Sequence, residues 1–291
     1  MVESSGKNAC VIGYPIKHSR SPRLHGFWLQ HYGIEGCYAA ELIAPDALPT
    51  FLESLKKGTL IYCGGNATIP HKEAVLALAD HADETAKALG AANTYWVEDG
   101  ALHVSNTDTY GFLGNLDDGA PEWDAPKAAG VKTAIVLGAG GASRAIVYGL
   151  ITRGFKSIIL ANRTVERAHA LTDHFSDLAL ANACQIMPQS LLQAEAHLSQ
   201  ADLLVNTTSL GMVGQDDLVF SLKSIPKTAV VTDIVYTPLE TDLLKKARAN
   251  GNRTVDGLGM LLHQAVPGFE KWFGVRPEVT DALRNHVLQD L

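Results

Sequence analysis

The chain has 291 residues, 46% hydrophobic and 19% charged, an ordinary globular composition long enough for one large domain or two of moderate size. Its formal net charge of −7 leaves no basic excess to neutralise phosphates, which argues against a nucleic-acid partner. No apolar run approaches the roughly 18 residues that span a bilayer, and the opening MVESSGKNACVIG lacks a basic stretch ahead of an apolar one, so neither a membrane segment nor a secretory signal is expected.

The first third alternates strand-like and helix-like stretches. NACVIG (8–13) reads as a strand, and SPRLHGFWLQHYG (21–33), with Ser and Pro at its head and Gly at its end, as a capped helix. CYAAELIA (37–44) reads as a strand, PDALPTFLESLKKG (45–58) as a helix and LIYCG (60–64) as a strand. After Pro70, which suits a first helical turn, Val75, Leu78, Ala79 and Ala82 repeat at helical spacing and predict one helix. NTYWVED (93–99) and ALHVSNT (101–107), joined around Gly100, predict a hairpin. NLDDGAPEWDAPKAAG (115–130) has no clean period and reads as a linker.

Then VKTAIVLGAGGASRAIVYGLITRG gives an apolar strand, a glycine turn and an amphipathic helix. Further strands are KSIILAN (156–162), ADLLVNT (201–207) and AVVTDIV (229–235). Strands alternating with helices imply a parallel sheet covered on both faces. DGLGMLLHQAVPGFEKWFG (256–274) carries Leu258, Leu261, Leu262 and Ala265 on one helical face, with Met260 and Gln264 together on another.

GAGGAS (138–143), between a strand and a helix, is a dinucleotide signature. Gly138 permits the tight turn, Gly140 lets a pyrophosphate approach the backbone, and Ser143 is small enough to pack the helix on the strand. NAD sites carry an acidic residue about 20 positions after the glycines. Here the second strand ends in LANRT, with Asn162, Arg163 and Thr164, and Arg167 follows one turn later. A guanidinium matches a 2′-phosphate that a carboxylate would repel, so NADP is predicted over NAD.

Lys72 falls in the first turn after Pro70, where the helix dipole disfavours a cation. Dipole and burial both move an amine towards neutrality, as proton transfer requires. Such a site needs a balancing carboxylate, and Asp108 in SNTDTYG offers one. His71 adjoins Lys72 and points to another face, and His18 reads as a hydrogen-bonded structural residue. No H-E-x-x-H or similar spacing exists, so no metal is predicted. Cys10, Cys37, Cys63 and Cys184 are far apart and form no C-x-x-C pair, which predicts small buried thiols in a reducing cytoplasm.

In chain order, GYPIKHSRSP (13–22), NATIPHK (66–72), GAANT (90–94), NTDTYG (106–111), GAGGAS, NRT, NTTSLGM (206–212), DIVYTPLET (233–241) and DGLGMLLHQA (256–265) resemble the shikimate dehydrogenase family over nearly the whole chain. The resemblance implies reversible, NADPH-dependent reduction of 3-dehydroshikimate to shikimate, on the way to aromatic amino acids. It implies a two-domain α/β fold: a substrate domain (1–107), a Rossmann-type NADP domain (108–256) and C-terminal helices (257–291) returning to the first.

By the same resemblance, Ser19 and Ser21, helped by Tyr236, hold the substrate carboxylate. Thr68, Lys72, Asn93, Asp108 and Gln264 contact the ring hydroxyls, and Lys72 and Asp108 are the catalytic pair. Gly138, Ala139, Gly140, Gly141, Ala142 and Ser143, then Asn162, Arg163, Thr164 and Arg167, take the cofactor's phosphates and ribose. Gly211 and Met212 border the nicotinamide, and Thr207, Ser209, Gly257 and Met260 complete the cofactor-binding set. The departures are Thr109 where relatives have Gly, Ala67 for a bulkier residue, and Thr207 and Ser209 where Ala and Pro are common. A quinate/shikimate dehydrogenase using NAD, a non-catalytic NADP-binding paralogue and a folate-type oxidoreductase are the alternatives. The partners implied are small molecules, with the chain a monomer or homodimer.

Overall fold

A computed structural model describes residues 7–125 and 130–289. It divides into two units: the chain up to Asp108 together with the chain from Leu262 onward, and Thr109–Leu261.

The first unit is built on a mixed sheet. Its strands and helices are β1 (Lys7–Gly13), α1 (Ser21–His31), β2 (Gly36–Leu42), α2 (Leu48–Lys56), β3 (Tyr62–Ala67), α3 (Lys72–Ala77), β4 (His81–Ala82), α4 (Glu84–Leu89), β5 (Thr94–Glu98) and β6 (Ala101–Ser105). The sheet order is β2-β1-β3-β5-β6-β4. β1 runs parallel to β2 and β3, while β5 is antiparallel to β3 and β6. Leu48, Leu52 and Leu55 of α2, Val75 of α3 and Ala86 of α4 pack on Cys10, Ile12, Tyr95, Leu102 and Val104. This apolar layer removes one face of the sheet from water, the main source of its stability.

The second unit contains α5 (Asp108–Gly119), which begins at the boundary, β7 (Thr133–Leu137), α6 (Gly141–Thr152), β8 (Ser157–Ala161), α7 (Val165–His174), α8 (Ser176–Ala181) and β9 (Gln185–Gln189). There follow α9 (Leu191–Ala194), β10 (Leu203–Asn206), β11 (Val230–Asp233), α10 (Asp242–Asn250) and β12 (Arg253–Val255). The sheet is entirely parallel, in the order β12-β11-β10-β7-β8-β9. Every residue of β7 and β10 is buried, as helices on both faces of a parallel sheet require. From β7 the chain proceeds to β8 on one side, and β10 lies on the other, so the strand order reverses at β7. Ligands of open α/β sheets bind outside the strands' carboxyl ends at such a reversal. α11 (Leu258–Phe273) crosses the unit boundary, and α12 (Asp281–Leu288) closes the first unit. The Trp272 indole of α11 donates to the Tyr95 carbonyl at 3.0 Å, and Trp28 of α1 to the Glu278 carbonyl at 3.0 Å.

Several local expectations need correction. The helix after Pro70 stops at Ala77 instead of running to Ala82. Asp80 ends it by accepting from the Leu102 N–H at 2.7 Å and pairing with Lys56, and Asp83 then caps a new helix through Ala86 N–H at 2.7 Å. Pro70 precedes α3 and lies outside its first turn. Arg20, not Ser21, is the N-cap of α1. The stretch read as a linker from residue 115 is helical to Gly119, because Asn115 and Leu116 are buried and Asn115 donates to the Asp256 carbonyl at 2.7 Å. The rest of that stretch includes residues 126–129, outside the described residues. Cys37 is exposed, whereas Cys10 and Cys184 are buried. His18 is also exposed.

Candidate active site

Lys72 is the first residue of α3, after the N-cap His71. Two contacts fix that helix start. His71 is buried and its Nε2 meets the Ile43 carbonyl at 2.8 Å, and the Ala92 N–H donates to the Lys72 carbonyl at 2.9 Å. The second contact brings GAANT beside NATIPHK. Asp108 opens α5, where the helix dipole favours a carboxylate. Asn106 shapes the approach by accepting from the Asp108 N–H at 3.0 Å and donating to the Ala91 carbonyl at 2.8 Å.

The Lys72 ammonium donates to Asp108 Oδ2 at 2.5 Å, with the two side chains 31% and 17% exposed. Asn93 Nδ2 donates to Asp108 Oδ1 at 2.8 Å and lies 3.5 Å from Gln264 Oε1. Both carboxylate oxygens are thus held by donors, one of them charged, the stronger kind of hydrogen bond. Four predicted residues from four segments converge here. An ammonium positioned by a carboxylate, with two amides alongside, can hold a hydroxylated ring and exchange a proton with it.

Ser19 and Ser21 follow β1, and Thr68 follows the neighbouring parallel strand β3, so all three lie beyond the carboxyl ends of adjacent strands. Thr68 N–H donates to the Ile12 carbonyl at 2.9 Å. Ser19 N–H donates to the Ile16 carbonyl at 3.0 Å, and Ser21 N–H reaches the Ser19 hydroxyl at 3.4 Å, a long contact. Tyr236 belongs to the second unit, between β11 and α10.

In the second unit the glycine turn joins β7 to α6. Gly138 has φ +113°, and a Cβ there would sit 2.4 Å from Thr207 Oγ1. That hydroxyl donates to the Leu137 carbonyl at 2.7 Å and so accepts from Ser143 Oγ at 2.6 Å. Gly140 N–H donates to Ser143 Oγ at 3.1 Å. Ser143 and Thr207 therefore brace the turn from inside. A Cβ on Gly140 or Gly141 would meet no protein atom within 4 Å. The face of the turn towards the α6 N-terminus is bare backbone, the arrangement that cradles a pyrophosphate.

Arg163 and Arg167 are exposed at the start of α7, and no ion pair among the described residues engages either. Asn162 donates to the Thr164 carbonyl at 2.8 Å and shapes the turn between β8 and α7. These groups fit an NADP phosphate. Ser209 and Met212 are exposed, with Gly211 between them at φ +85°. Gly257 is buried, since a Cβ there would lie 2.3 Å from the Ile234 carbonyl; Met260 is half-buried on α11.

Sequence reasoning missed the residues that hold these loops. Asp233, ending β11, accepts from Asn206 Nδ2 at 3.0 Å, Val235 N–H at 3.0 Å and the Thr241 hydroxyl at 2.7 Å. Burial pushes its carboxyl above the ordinary range. Asn206 in turn accepts from Thr208 N–H at 3.1 Å. The signal was present: Asn106-x-Asp108 and Asn206-x-Thr208 are each an Asn whose side chain takes the N–H two residues on. Thr109, the departure after Asp108, is buried and donates to the Ala145 carbonyl at 2.9 Å.

A parallel sheet in this order, a braced glycine turn and a lysine–carboxylate pair point to the class of two-domain, dinucleotide-dependent oxidoreductases. Comparison narrows the class. Family models match residues 11–95 (shikimate dehydrogenase substrate binding domain), 125–241 (shikimate/quinate 5-dehydrogenase) and 257–288 (shikimate 5′-dehydrogenase C-terminal domain). The chain is 50% identical over 289 residues to the shikimate dehydrogenase (NADP(+)) of Sinorhizobium medicae, covering 99% of this chain and 97% of that one. It is 52% identical over 289 residues to the Brucella abortus protein of the same description, covering 98% and 95%.

Among solved structures, shikimate 5-dehydrogenase from Thermus thermophilus in complex with NADP(H) and shikimate matches with TM-score 0.82 at 33% identity, covering 98% of this chain and 100% of that one. Quinate dehydrogenase from Corynebacterium glutamicum in complex with NAD matches with TM-score 0.85 at 31% identity, covering 97% and 99%. The chain belongs to the shikimate dehydrogenase family.

Proposed function

We propose that this protein catalyses the reversible, NADPH-dependent reduction of 3-dehydroshikimate to shikimate. The observation that supports it most is the Lys72–Asp108 pair, with Asn93 and Gln264 alongside. NADPH, when bound, supplies the hydride to the carbonyl carbon. Lys72 stabilises the negative charge developing on the carbonyl oxygen and delivers a proton to it, so ketone becomes secondary alcohol. Asp108 keeps the ammonium aimed at that oxygen. Thr68, Asn93 and Gln264 orient the ring through its hydroxyls, while Ser19 and Ser21 take the carboxylate with help from Tyr236.

The chain up to Asp108 and from Leu262 onward supplies the substrate groups other than Tyr236, and residues 109–261 supply the cofactor groups. The glycine turn takes the pyrophosphate, and Arg163 and Arg167 take the 2′-phosphate. Gly211 and Met212 border the nicotinamide. Four free thiols suit a reducing cytoplasm. All these groups lie on one chain, whether it works as a monomer or in a homodimer.

The test follows nicotinamide absorbance with purified protein and shikimate or quinate, each with NADP or NAD. Turnover is expected with shikimate and NADP. Faster turnover with quinate and NAD would replace this assignment, and no turnover in any combination would end it.

A further inference from the structure

A run of buried polar side chains leads away from Asp108. Tyr38, on β2, donates its hydroxyl to Asn66 Oδ1 of β3 at 2.6 Å. Asn66 Nδ2 donates to Thr94 Oγ1 of β5 at 3.1 Å and to the Asn93 carbonyl at 3.0 Å. Thr94 Oγ1 donates to Asn93 Oδ1 at 2.9 Å, and Asn93 Nδ2 donates to Asp108.

Backbone groups fix the orientation of both amides, and Thr94 Oγ1, which also lies 3.2 Å from Thr107 Oγ1, then faces an acceptor on Asn93. The Thr107 N–H only donates, so the Asn93 atom facing it at 2.9 Å is Oδ1. Nδ2 is thereby turned to Asp108. The Asn93 carbonyl only accepts, so Asn66 presents Nδ2 to it and Oδ1 to Tyr38. Tyr38 must therefore be a donor. Each O–H or N–H then points towards the Asp108 carboxylate, and bonds aligned in this way polarise one another.

The far end is buried. The Tyr38 ring stacks on His25, centroids 4.0 Å apart, and both are buried. Neither His25 nitrogen has a hydrogen-bond partner among the described residues, and although nearby Asn66 favours the charged form slightly, burial pushes the imidazole down to about 3. Burial likewise holds the Tyr38 phenol in its protonated, donating form. Tyr38 thus keeps one role across the working pH range.

We infer that Tyr38 is a positioning residue for the Lys72–Asp108 pair, acting through Asn66, Thr94 and Asn93 to aim the Asp108 carboxylate at the Lys72 ammonium. This rests on the pair's role proposed above. It assigns function to a side chain in none of the motifs that carry the chemistry.

The test measures kcat and KM for both substrates in Tyr38→Phe, Thr94→Val, Thr94→Ser and the Tyr38→Phe/Thr94→Val double variant. Tyr38→Phe is expected to lower kcat about fivefold, the worth of one hydrogen bond, with the KM for NADP unchanged. Thr94→Val should lose about as much and Thr94→Ser should recover it, a pair that decides the matter even if Tyr38→Phe folds poorly. The double variant should lose little more than Thr94→Val alone, because the chain is already cut. Losses that multiply, changes confined to KM, or Thr94→Ser no better than Thr94→Val would overturn the inference. An unmutated enzyme that turns over shikimate beside an unaffected Tyr38→Phe sinks this inference alone. An inactive unmutated enzyme sinks the proposed function with it.

Discussion

Gly138 and Gly140 share one turn, yet alanine at each should act through a different quantity. At Gly138, φ is +113°, and holding a side-chain-bearing residue in such a region costs about 1–3 kcal/mol. The new Cβ would also lie 2.4 Å from Thr207 Oγ1. Moving that hydroxyl breaks its bonds to the Leu137 carbonyl and Ser143, at about 1 kcal/mol each. The sum is about 3–5 kcal/mol of folding stability. For a unit of this size that lowers the melting midpoint on the order of 10 °C.

At Gly140 the backbone is extended, φ −100° and ψ −168°, and the added Cβ meets no protein atom within 4 Å. Gly140→Ala should therefore melt within a degree or two of the unmutated protein, about 0.5 kcal/mol or less. It should weaken NADP(H) binding at least about tenfold, about 1.4 kcal/mol, because the Cβ would stand where, on the function proposed above, the pyrophosphate meets backbone N–H groups. Calorimetry gives the stabilities, and titration of NADPH fluorescence gives the affinities. The reasoning is refuted if Gly138→Ala melts like the unmutated protein, or if Gly140→Ala loses stability while keeping its affinity for NADPH.

Three further outcomes can be checked. Lys72→Ala should lower turnover roughly 10²–10⁴-fold, the scale for general acid–base residues; near-normal steady-state rates would remove Lys72 from the mechanism. Arg163→Ala should weaken NADPH binding by about 1.5–3 kcal/mol, a charge-assisted hydrogen bond's worth, and leave the weaker affinity for NAD unchanged; equal losses for both cofactors would place the guanidinium elsewhere. Asp233 has its carboxyl raised by burial, so its favourable contribution is present below the unfolded value of about 4 and is lost as pH rises through the raised folded value. Asp233→Asn lacks this dependence, so urea midpoints at about pH 5 and about pH 8 should show the variant gaining on the unmutated protein at the higher pH. A constant difference between the two would contradict the buried-charge account.

How much was legible depends on the range of the forces involved. Helix and strand periods are local, and β1, α1, the hairpin of β5 and β6, and the β7–α6 turn lie where the sequence pattern puts them. Where a side chain interacts across the sheet, pattern fails. The apolar repeat through Ala82 predicts an unbroken helix, but Asp80 bonds to Leu102, 22 residues away, and that contact outweighs helix continuation. The α5 helix hides in an Asp-rich stretch because Asn115 finds its partner in Asp256, 141 residues on.

Sequence alone determined the chemistry available to this protein. It supplied glycines where a turn must bare its backbone, an arginine where an acid would select NAD, and a lysine at a helix start. These are properties of residue type and near neighbours, which a linear pattern records. Only the tertiary structure brought Lys72 to 2.5 Å from Asp108, 36 residues away, and turned the Asn93 amide so that its nitrogen faces the carboxylate. That decision belongs to strand order. β3 lies beside β5, not beside its neighbour in the chain, so Asn66, Asn93 and Thr94 meet, and hydrogen bonds act only over such distances.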